Sequence, residues 1–187
     1  MSVNERGFSL LEVLIAMAIS SILLLSAARF LPALQREILR NTSQLALEDE
    51  VWQRVYTVAK HLQRAGYCRG NCGEEALVIS AKGDCVIARW DANSNGVWES
   101  SPAKESDVIG FRLQDKVLET LRGATDCNGK GWEKMTDPAT IQIEAFQVER
   151  LNISGYSPLI TLRLRGVNNV EPHKVIEAVY SVTGFNL

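Results

Sequence analysis

A single acidic side chain, Glu12, lies at the start of a long apolar run in the sequence GFSLLEVLIAMAIS (residues 7–20). No charged residue occurs from Val13 to Ala28, and this length approaches the roughly 20 residues that a helix needs to span a lipid bilayer. A charge inside such a helix costs about 2.5 to 3.5 kcal/mol at its centre and less near the membrane surface, so it normally has a partner. Glu12 therefore offers the chemistry of one half of an ion pair.

The same segment has features of an ordinary secretory signal peptide. Arg6 supplies a positive charge before the apolar run, and Ser26-Ala27-Ala28 is a possible small-residue cleavage site. A signal peptide that is removed and discarded has no reason to carry an acid inside its apolar segment. Glu12 therefore argues against this interpretation.

A loop rich in oxygen-bearing side chains occupies residues 90–101, WDANSNGVWESS. Its order D-x-N-x-N-G-x-x-E is typical of a calcium loop, in which oxygen ligands alternate and a glycine makes the sharp turn. The acid expected at the twelfth position is missing, because Pro102 stands there, and Asn95-Gly96 is also a hairpin signal. A tight turn and a calcium site both remain open. The candidate calcium ligands are Asp91, Asn93, Asn95, the carbonyl of Val97, and Glu99.

Four cysteines, Cys68, Cys72, Cys85 and Cys127, all follow the apolar segment. An even number beyond a membrane segment predicts two disulfides, because compartments outside the cytoplasm are oxidising. The alternative is a zinc site, but tetrathiolate sites usually contain paired Cys-x-x-Cys units, and none is present here. Four cysteines allow three pairings, and the sequence leaves all three open.

The sequence offers little support for catalysis or for nucleic-acid binding. His61 and His173 have no neighbours in sequence that suggest a nucleophile or a metal triad, and no phosphate-binding glycine loop or G-x-S-x-G elbow occurs. The balance of 20 Lys and Arg against 22 Asp and Glu contains no basic block, whereas phosphate binding requires clustered positive charge. We therefore expect neither an enzyme nor a nucleic-acid partner.

Two kinds of element must position these residues. A stripe of apolar side chains at helical spacing, Val51, Val55, Val58, Leu62 and Ala65, predicts an amphipathic helix with one buried face. Gly66 is a stop signal. We expect one long helix from about Phe8 to Ala65, bent slightly at Pro32, which lacks the backbone N–H of a helical residue.

Beyond Gly66 the pattern changes to period two with many β-branched residues, which is typical of strands. One helix followed by strands predicts an α+β fold in which a mostly antiparallel sheet packs on the helix. The predicted strands are 76–81, 85–90, 108–113, 140–146, 147–153, 159–166 and 174–182.

The motif Gly7-Phe8-Ser9-Leu10-Leu11-Glu12, after a short polar leader, resembles the N-terminus of type IV prepilins and type II secretion pseudopilins. The resemblance implies that a prepilin peptidase cleaves between Gly7 and Phe8 and that the new N-terminal Phe8 is methylated. It also implies that Glu12 takes part in assembly, by accepting the N-terminal amine of a neighbouring subunit. The motif covers the first 30 or so residues, and the order of helix and strands extends the likeness loosely to a pilin-like fold.

The resemblance also implies an organisation and a set of partners. The segments are a leader at 1–7, a transmembrane and assembly helix at 8–34, an amphipathic helix at 35–66, and a periplasmic β-rich domain at 67–187. Such a chain would be a minor pilin, anchored once in the bacterial inner membrane. Its partners would be the prepilin peptidase, other major and minor pilins, the inner-membrane assembly platform and the lipid bilayer. The alternative is a periplasmic enzyme or binding module held by an uncleaved signal anchor.

Overall fold

A computed structural model describes residues 9–73, 75–100, 103–169 and 174–187. In this part of the chain one helix, α1 (Leu10–Arg64), precedes all the strands. A short 3₁₀ turn at Ala103–Glu105 lies between the second and third strands. The strands are β1 (Leu77–Ile79), β2 (Cys85–Arg89), β3 (Val108–Gln114), β4 (Val117–Arg122), β5 (Glu133–Lys134), β6 (Ile141–Leu151), β7 (Leu159–Asn168) and β8 (Val175–Thr183).

The chain divides into two compact units, of which the first comprises residues 1–45. Its described part is the start of α1, where the carbonyl of Ser9 accepts hydrogen bonds from the N–H groups of Glu12 and Val13. The helix continues through Pro32, and it is long and apolar enough to cross a membrane. Every described side chain of this unit is exposed, so its apolar surface has no partner within the unit.

Two serine hydroxyls in this first unit are satisfied by the helix itself. Ser21 and Ser26 donate to the carbonyls of Met17 and Ile22, at 2.7 and 2.8 Å. A hydroxyl in a hydrocarbon environment would otherwise leave a polar group without a partner, which is costly. These two bonds lower the cost of placing Ser21 and Ser26 in a bilayer.

The second unit, residues 46–187, has its own hydrophobic core. The predicted stripe is confirmed, because all five of its side chains are buried. Aromatic and aliphatic residues from several strands complete the core, among them Phe111, Leu118, Ile143 and Leu162. Burial of this one face fixes the last third of α1, residues 46–64, in the unit.

The expected α+β fold, a helix packed on antiparallel strands, is confirmed, but the strands form two sheets instead of one. The first has the order β1-β2-β3-β4-β5 and the second the order β6-β7-β8. Backbone N–H groups of β6 donate to hairpin turns of the first sheet, from Val148 to Gly83 and from Ile143 to Lys116, at 2.9 and 2.8 Å. These bonds join an edge of the second sheet to the turns of the first, so the sheets share one core without being continuous.

Two strand predictions need correction. The segments 140–146 and 147–153 form one strand, β6, with a register shift between Ile143 and Ala145. The two-residue strand β5 was not predicted, and neither was β4, although β4 pairs with β3 along its whole length. Its sequence, VLETLR, buries only Val117 and Leu118 and therefore lacks a sustained alternation of apolar and polar residues.

The end of the helix agrees with the stop signal at Gly66. Helix α1 ends at Arg64, and Gly66 has a positive φ of 87°, a conformation that costs glycine little because it has no Cβ. A Cβ at this position would also lie 2.1 Å from the carbonyl oxygen of Asn186. Only glycine therefore allows the C-terminal residues to approach the end of the helix.

Candidate functional site

The acidic residue of the N-terminal motif lies in the first turn of α1, exposed at the start of the apolar surface. Glu12, Ala16 and Ser20 follow one another at intervals of four residues, so they share one helix face. Together with Val13 and Met17 they line an open groove of about 410 Å³. Small side chains allow another helix to approach closely. The proposed cleavage residues Gly7 and Phe8 lie outside the described residues.

The four cysteines form two disulfides, as predicted, and the pairing is now defined. Cys68 is bonded to Cys72, and Cys85 is bonded to Cys127 across 42 positions of sequence. The long link joins β2 to the loop after β4, which constrains the first sheet. With all four sulfurs in disulfides, the zinc alternative is wrong.

The five candidate calcium ligands lie in one loop that is held by its own side chains. The carboxylate of Asp91, which is 1% exposed, accepts N–H bonds from Asn95, Gly96 and Arg69 at 2.8 to 3.1 Å. The side-chain oxygens of Asn93 and Asn95 each accept an N–H two residues ahead, as in Asx turns. The loop therefore has the features of the predicted tight turn, with Ser94 and Gly96 at positive φ.

The disulfide Cys68–Cys72 lies against this loop. Arg69, inside the disulfide ring, donates its N–H to Asp91. A Cβ added at Gly70 would lie 2.6 Å from the carbonyl oxygen of Gly96. The short ring and the oxygen-rich loop are thus packed as one structural feature.

A buried acid that the sequence reasoning missed, Asp107, also contacts the loop. Its side chain is 1% exposed and accepts N–H bonds from Ala92 and Glu99 at 3.1 and 3.2 Å. Arg89, at the end of β2, pairs with Val108, at the start of β3. Asp107, the residue before Val108, therefore lies beside the start of the loop. Only the strand register could have revealed it.

The three carboxyl groups differ in their readiness to ionise. Burial opposes ionisation of Asp91, but backbone N–H donors, those of Arg69 and Gly96 foremost, outweigh it and lower the pKa. Burial and then the adjacent Glu99 raise the pKa of Asp107. The hydrogen bond from Asp107 correspondingly lowers the pKa of Glu99. In the described part of the chain, no group of three or more His, Cys, Asp or Glu side chains is arranged to hold a metal.

Calcium binding by Asp91, Asn93, Asn95, Val97 and Glu99 stays a prediction, with a direct test. Under it, EGTA lowers the melting temperature of the detergent-solubilised protein, and Asp91→Ala abolishes that response because a ligand is lost. Asp126→Ala serves as the control, because Asp126 also accepts a loop N–H, from Asn128 at 2.7 Å, but lies outside the ligand set. It should retain the response to EGTA. If EGTA leaves the melting temperature of the wild-type protein unchanged, the calcium prediction is wrong and the loop is a tight turn.

His61 is a partly buried residue near the end of α1. Its ring packs against Trp90 and Phe111, with centroid distances of 4.8 and 5.5 Å. Burial, and then the positive charges of Arg64, Lys60 and Arg122, lower the pKa of His61 from 6.5 to about 4. The imidazole is therefore neutral at pH 7, and its Nδ1 is buried without a hydrogen-bond partner among the described residues. His173 lies outside the described residues.

This lowered pKa predicts that the second unit loses stability in mild acid. Between pH 7 and pH 4 the unfolded chain binds a proton that the folded chain excludes, so the free energy of unfolding falls as the pH falls, by up to about 3 kcal/mol. His61→Gln, which has no proton to bind, should remove this part of the pH dependence. The measurement is urea unfolding followed by tryptophan fluorescence at several pH values. An equal loss of stability in both proteins would contradict the assignment to His61.

Comparisons with known proteins agree with this arrangement. The family model described as "Prepilin peptidase-dependent protein B" matches residues 40–184, and that described as "Prokaryotic N-terminal methylation motif" matches residues 3–28. A curated relative, the prepilin peptidase-dependent protein B of Escherichia coli (strain K12), is 66% identical over 187 residues, which is 100% of both chains. No solved structure matches the chain.

The two matches divide the chain much as its chemistry does. The methylation motif covers Glu12 and most of the apolar run, which together with the exposed helix indicates membrane anchoring. The second match covers the two sheets and the helix face that they bury. The chain is therefore a pilin-like protein that belongs to the prepilin peptidase-dependent protein B family.

Proposed function

We propose that this chain is a minor pilin that takes part in the initiation or assembly of a type IV pilus or type II secretion pseudopilus. The observation that carries the proposal is the exposed apolar start of α1, which bears Glu12 in a groove that also contains the small residues Ala16 and Ser20. An exposed apolar surface of this size needs a cover. In a membrane the cover is lipid, and in a filament it is the helices of other subunits.

The proposal assigns a location and partners to each part of the chain. A prepilin peptidase removes residues 1–7 and the new N-terminus at Phe8 is methylated. The apolar part of α1 lies in the bacterial inner membrane, with the second unit in the periplasm. The partners of the chain in this arrangement are major and minor pilins and the inner-membrane assembly platform. The two disulfides fit this location, because such bonds persist in an oxidising compartment. The proposed role is structural and not enzymatic.

Glu12 has a defined task in this proposal. When helices pack side by side, the free amine of an incoming subunit must leave water and enter an apolar bundle. The carboxylate of Glu12 offsets that cost by forming an ion pair with the amine. A charge left unpaired inside the bundle is unfavourable, so the ion pair selects one axial position of the neighbouring helix. Because this chain retains Glu12, it is able to accept a following subunit.

Processing at the predicted bond is tested by the intact mass of the protein extracted from membranes. We expect the mass of residues 8–187 plus one methyl group. A mass that includes Met1 would instead support the alternative class, a membrane-anchored enzyme or binding module with an uncleaved signal anchor. A mass that corresponds to cleavage after Ala28 would indicate an ordinary signal peptide. Gly7→Ala, which alters the residue before the bond, is a control that should retain the leader.

The assembly role of Glu12 predicts a loss of partner capture without a loss of folding. Glu12→Ala should weaken recruitment of the next pilin by roughly 100-fold to several thousand-fold, because a buried unpaired amine costs about 3 to 5 kcal/mol. The measurement is co-purification with partner pilins from membranes of a strain that lacks the wild-type copy.

Two further variants make this experiment specific. Glu12→Asp keeps the charge but loses reach, and should show a smaller defect than Glu12→Ala. Glu37→Ala removes an exposed acid of the same helix that lies outside the apolar run, and should capture partners normally. Unchanged capture by Glu12→Ala would show that the carboxylate has no role in assembly.

A further inference from the structure

Three arginines follow the uncharged run of α1 and lie on one face of the helix. Arg29, Arg36 and Arg40 are separated by seven and four residues, which places them within about 40° of one another around a helix of 3.6 residues per turn. All three are exposed. The one acid in residues 13–47 is Glu37, and it lies about 100° away from Arg36 around the helix. The three arginines therefore form a positively charged surface, which we call the arginine face.

The opposite side of the same part of α1 is apolar. Leu31, Leu34 and Ile38 lie there, and they are 43 to 53% exposed. Positive charge on one side and aliphatic side chains on the other are typical of a helix at the surface of a membrane. In the described part of the chain, neither Arg29 nor Arg36 forms an ion pair. Their guanidinium groups are therefore available to an external anion.

The arginines also lie at the right level along the helix to meet a membrane surface. About 20 helical residues span the hydrocarbon core of a bilayer, so a core that begins at Val13 ends near Pro32. Arg29 then lies about 5 Å inside this boundary, where an arginine extends its charged end towards the surface. Arg36 and Arg40 lie about 6 and 12 Å outside it, and their side chains incline back towards the N-terminus of the helix. All three charges therefore reach the headgroup layer, which is about 5 to 8 Å thick, or its outer border.

The same helix face is apolar where it enters the membrane. An open groove of about 230 Å³ is lined by Ile22, Leu25, Ser26 and Arg29. A phospholipid has the same order of chemistry, with apolar chains next to a charged phosphate. A lipid that lies in this groove therefore places its phosphate beside the guanidinium of Arg29.

The arginines are not explained by the rule that orients membrane helices. This rule enriches Arg and Lys on the cytoplasmic side of a span. The second unit, which follows the arginines in sequence, contains two disulfides, and such bonds persist in oxidising compartments outside the cytoplasm. The arginine face is therefore on the side where the rule predicts few positive charges, and its charge needs another reason.

We propose that the arginine face binds the phosphate groups of anionic phospholipids at the membrane surface from which α1 emerges. Guanidinium groups suit this ligand because they donate two parallel N–H bonds to phosphate oxygens. The net negative charge of the lipid complements a surface that contains three cations. The inference rests on the membrane anchoring in the proposed function, but it does not depend on filament assembly or on Glu12.

Lipid binding is tested by native mass spectrometry of the full chain in lipid-free detergent, titrated with phosphatidylglycerol or with zwitterionic phosphatidylcholine. We expect the wild-type chain to bind phosphatidylglycerol at least about fivefold more tightly, which is the effect of one arginine at an anionic membrane surface. A chain with Arg29→Gln, Arg36→Gln and Arg40→Gln should bind the two lipids equally.

Two matched chains make the test specific to the arginine face. Replacement of all three arginines by lysine keeps the charge but loses the paired N–H bonds, so the preference for phosphatidylglycerol should decrease without disappearing. Lys82→Gln, Lys130→Gln and Arg150→Gln together remove the same charge from exposed positions of the second unit. This control should retain the full preference.

Three results would overturn the proposal. The first is equal binding of phosphatidylglycerol by the wild-type chain and by the chain with three glutamines on the arginine face. The second is an equal loss in the control, which would show that only net charge matters. The third is a glutamine chain that keeps its lipids but no longer co-purifies with partner pilins, which would identify an acidic protein surface as the occupant. An unprocessed chain that still prefers phosphatidylglycerol would contradict the proposed function and leave this inference supported.

Discussion

The second unit depends on the burial of one face of the last third of α1. Val51, Val55, Val58 and Leu62 are almost completely removed from water, and side chains from both sheets pack around them. Full burial of an aliphatic side chain contributes about 1.5 to 3 kcal/mol, so this stripe is a large fraction of the stability of a domain of this size. The same helix begins as an exposed apolar surface. One continuous element therefore serves two different environments.

Much of this division could be predicted from the sequence, because it depends on local patterns. The spacing of Val51, Val55 and Val58 is specific to a helix with one buried face. Gly66 marks the end because its positive φ of 87° is a conformation that suits glycine. The uncharged run after Glu12 identifies the apolar segment by length alone. In each case the physical cause acts within a few residues of its signal.

What the sequence could not provide depends on residues that are distant in the chain. The division into two sheets is determined by bonds such as that from Val148 to Gly83, which no local pattern encodes. Strand β4 is held mainly by its pairing with β3, and its charged residues hide its periodicity. Asp107 joins the oxygen-rich loop through strand register. The pairing of Cys85 with Cys127 likewise follows from the tertiary arrangement of the first sheet.

The order of elements along the chain also affects how the protein is made. Helix α1 emerges first during synthesis, whereas strands that cover its buried face, including β7 and β8, emerge last. Even the end of the helix is covered by Asn186, the penultimate residue, which lies against Gly66. Contacts between such distant residues form slowly, because a long loop of chain must close first. The second unit can therefore complete its folding only after the residues up to Asn186 have been synthesised, and the apolar face of its helix stays uncovered until then.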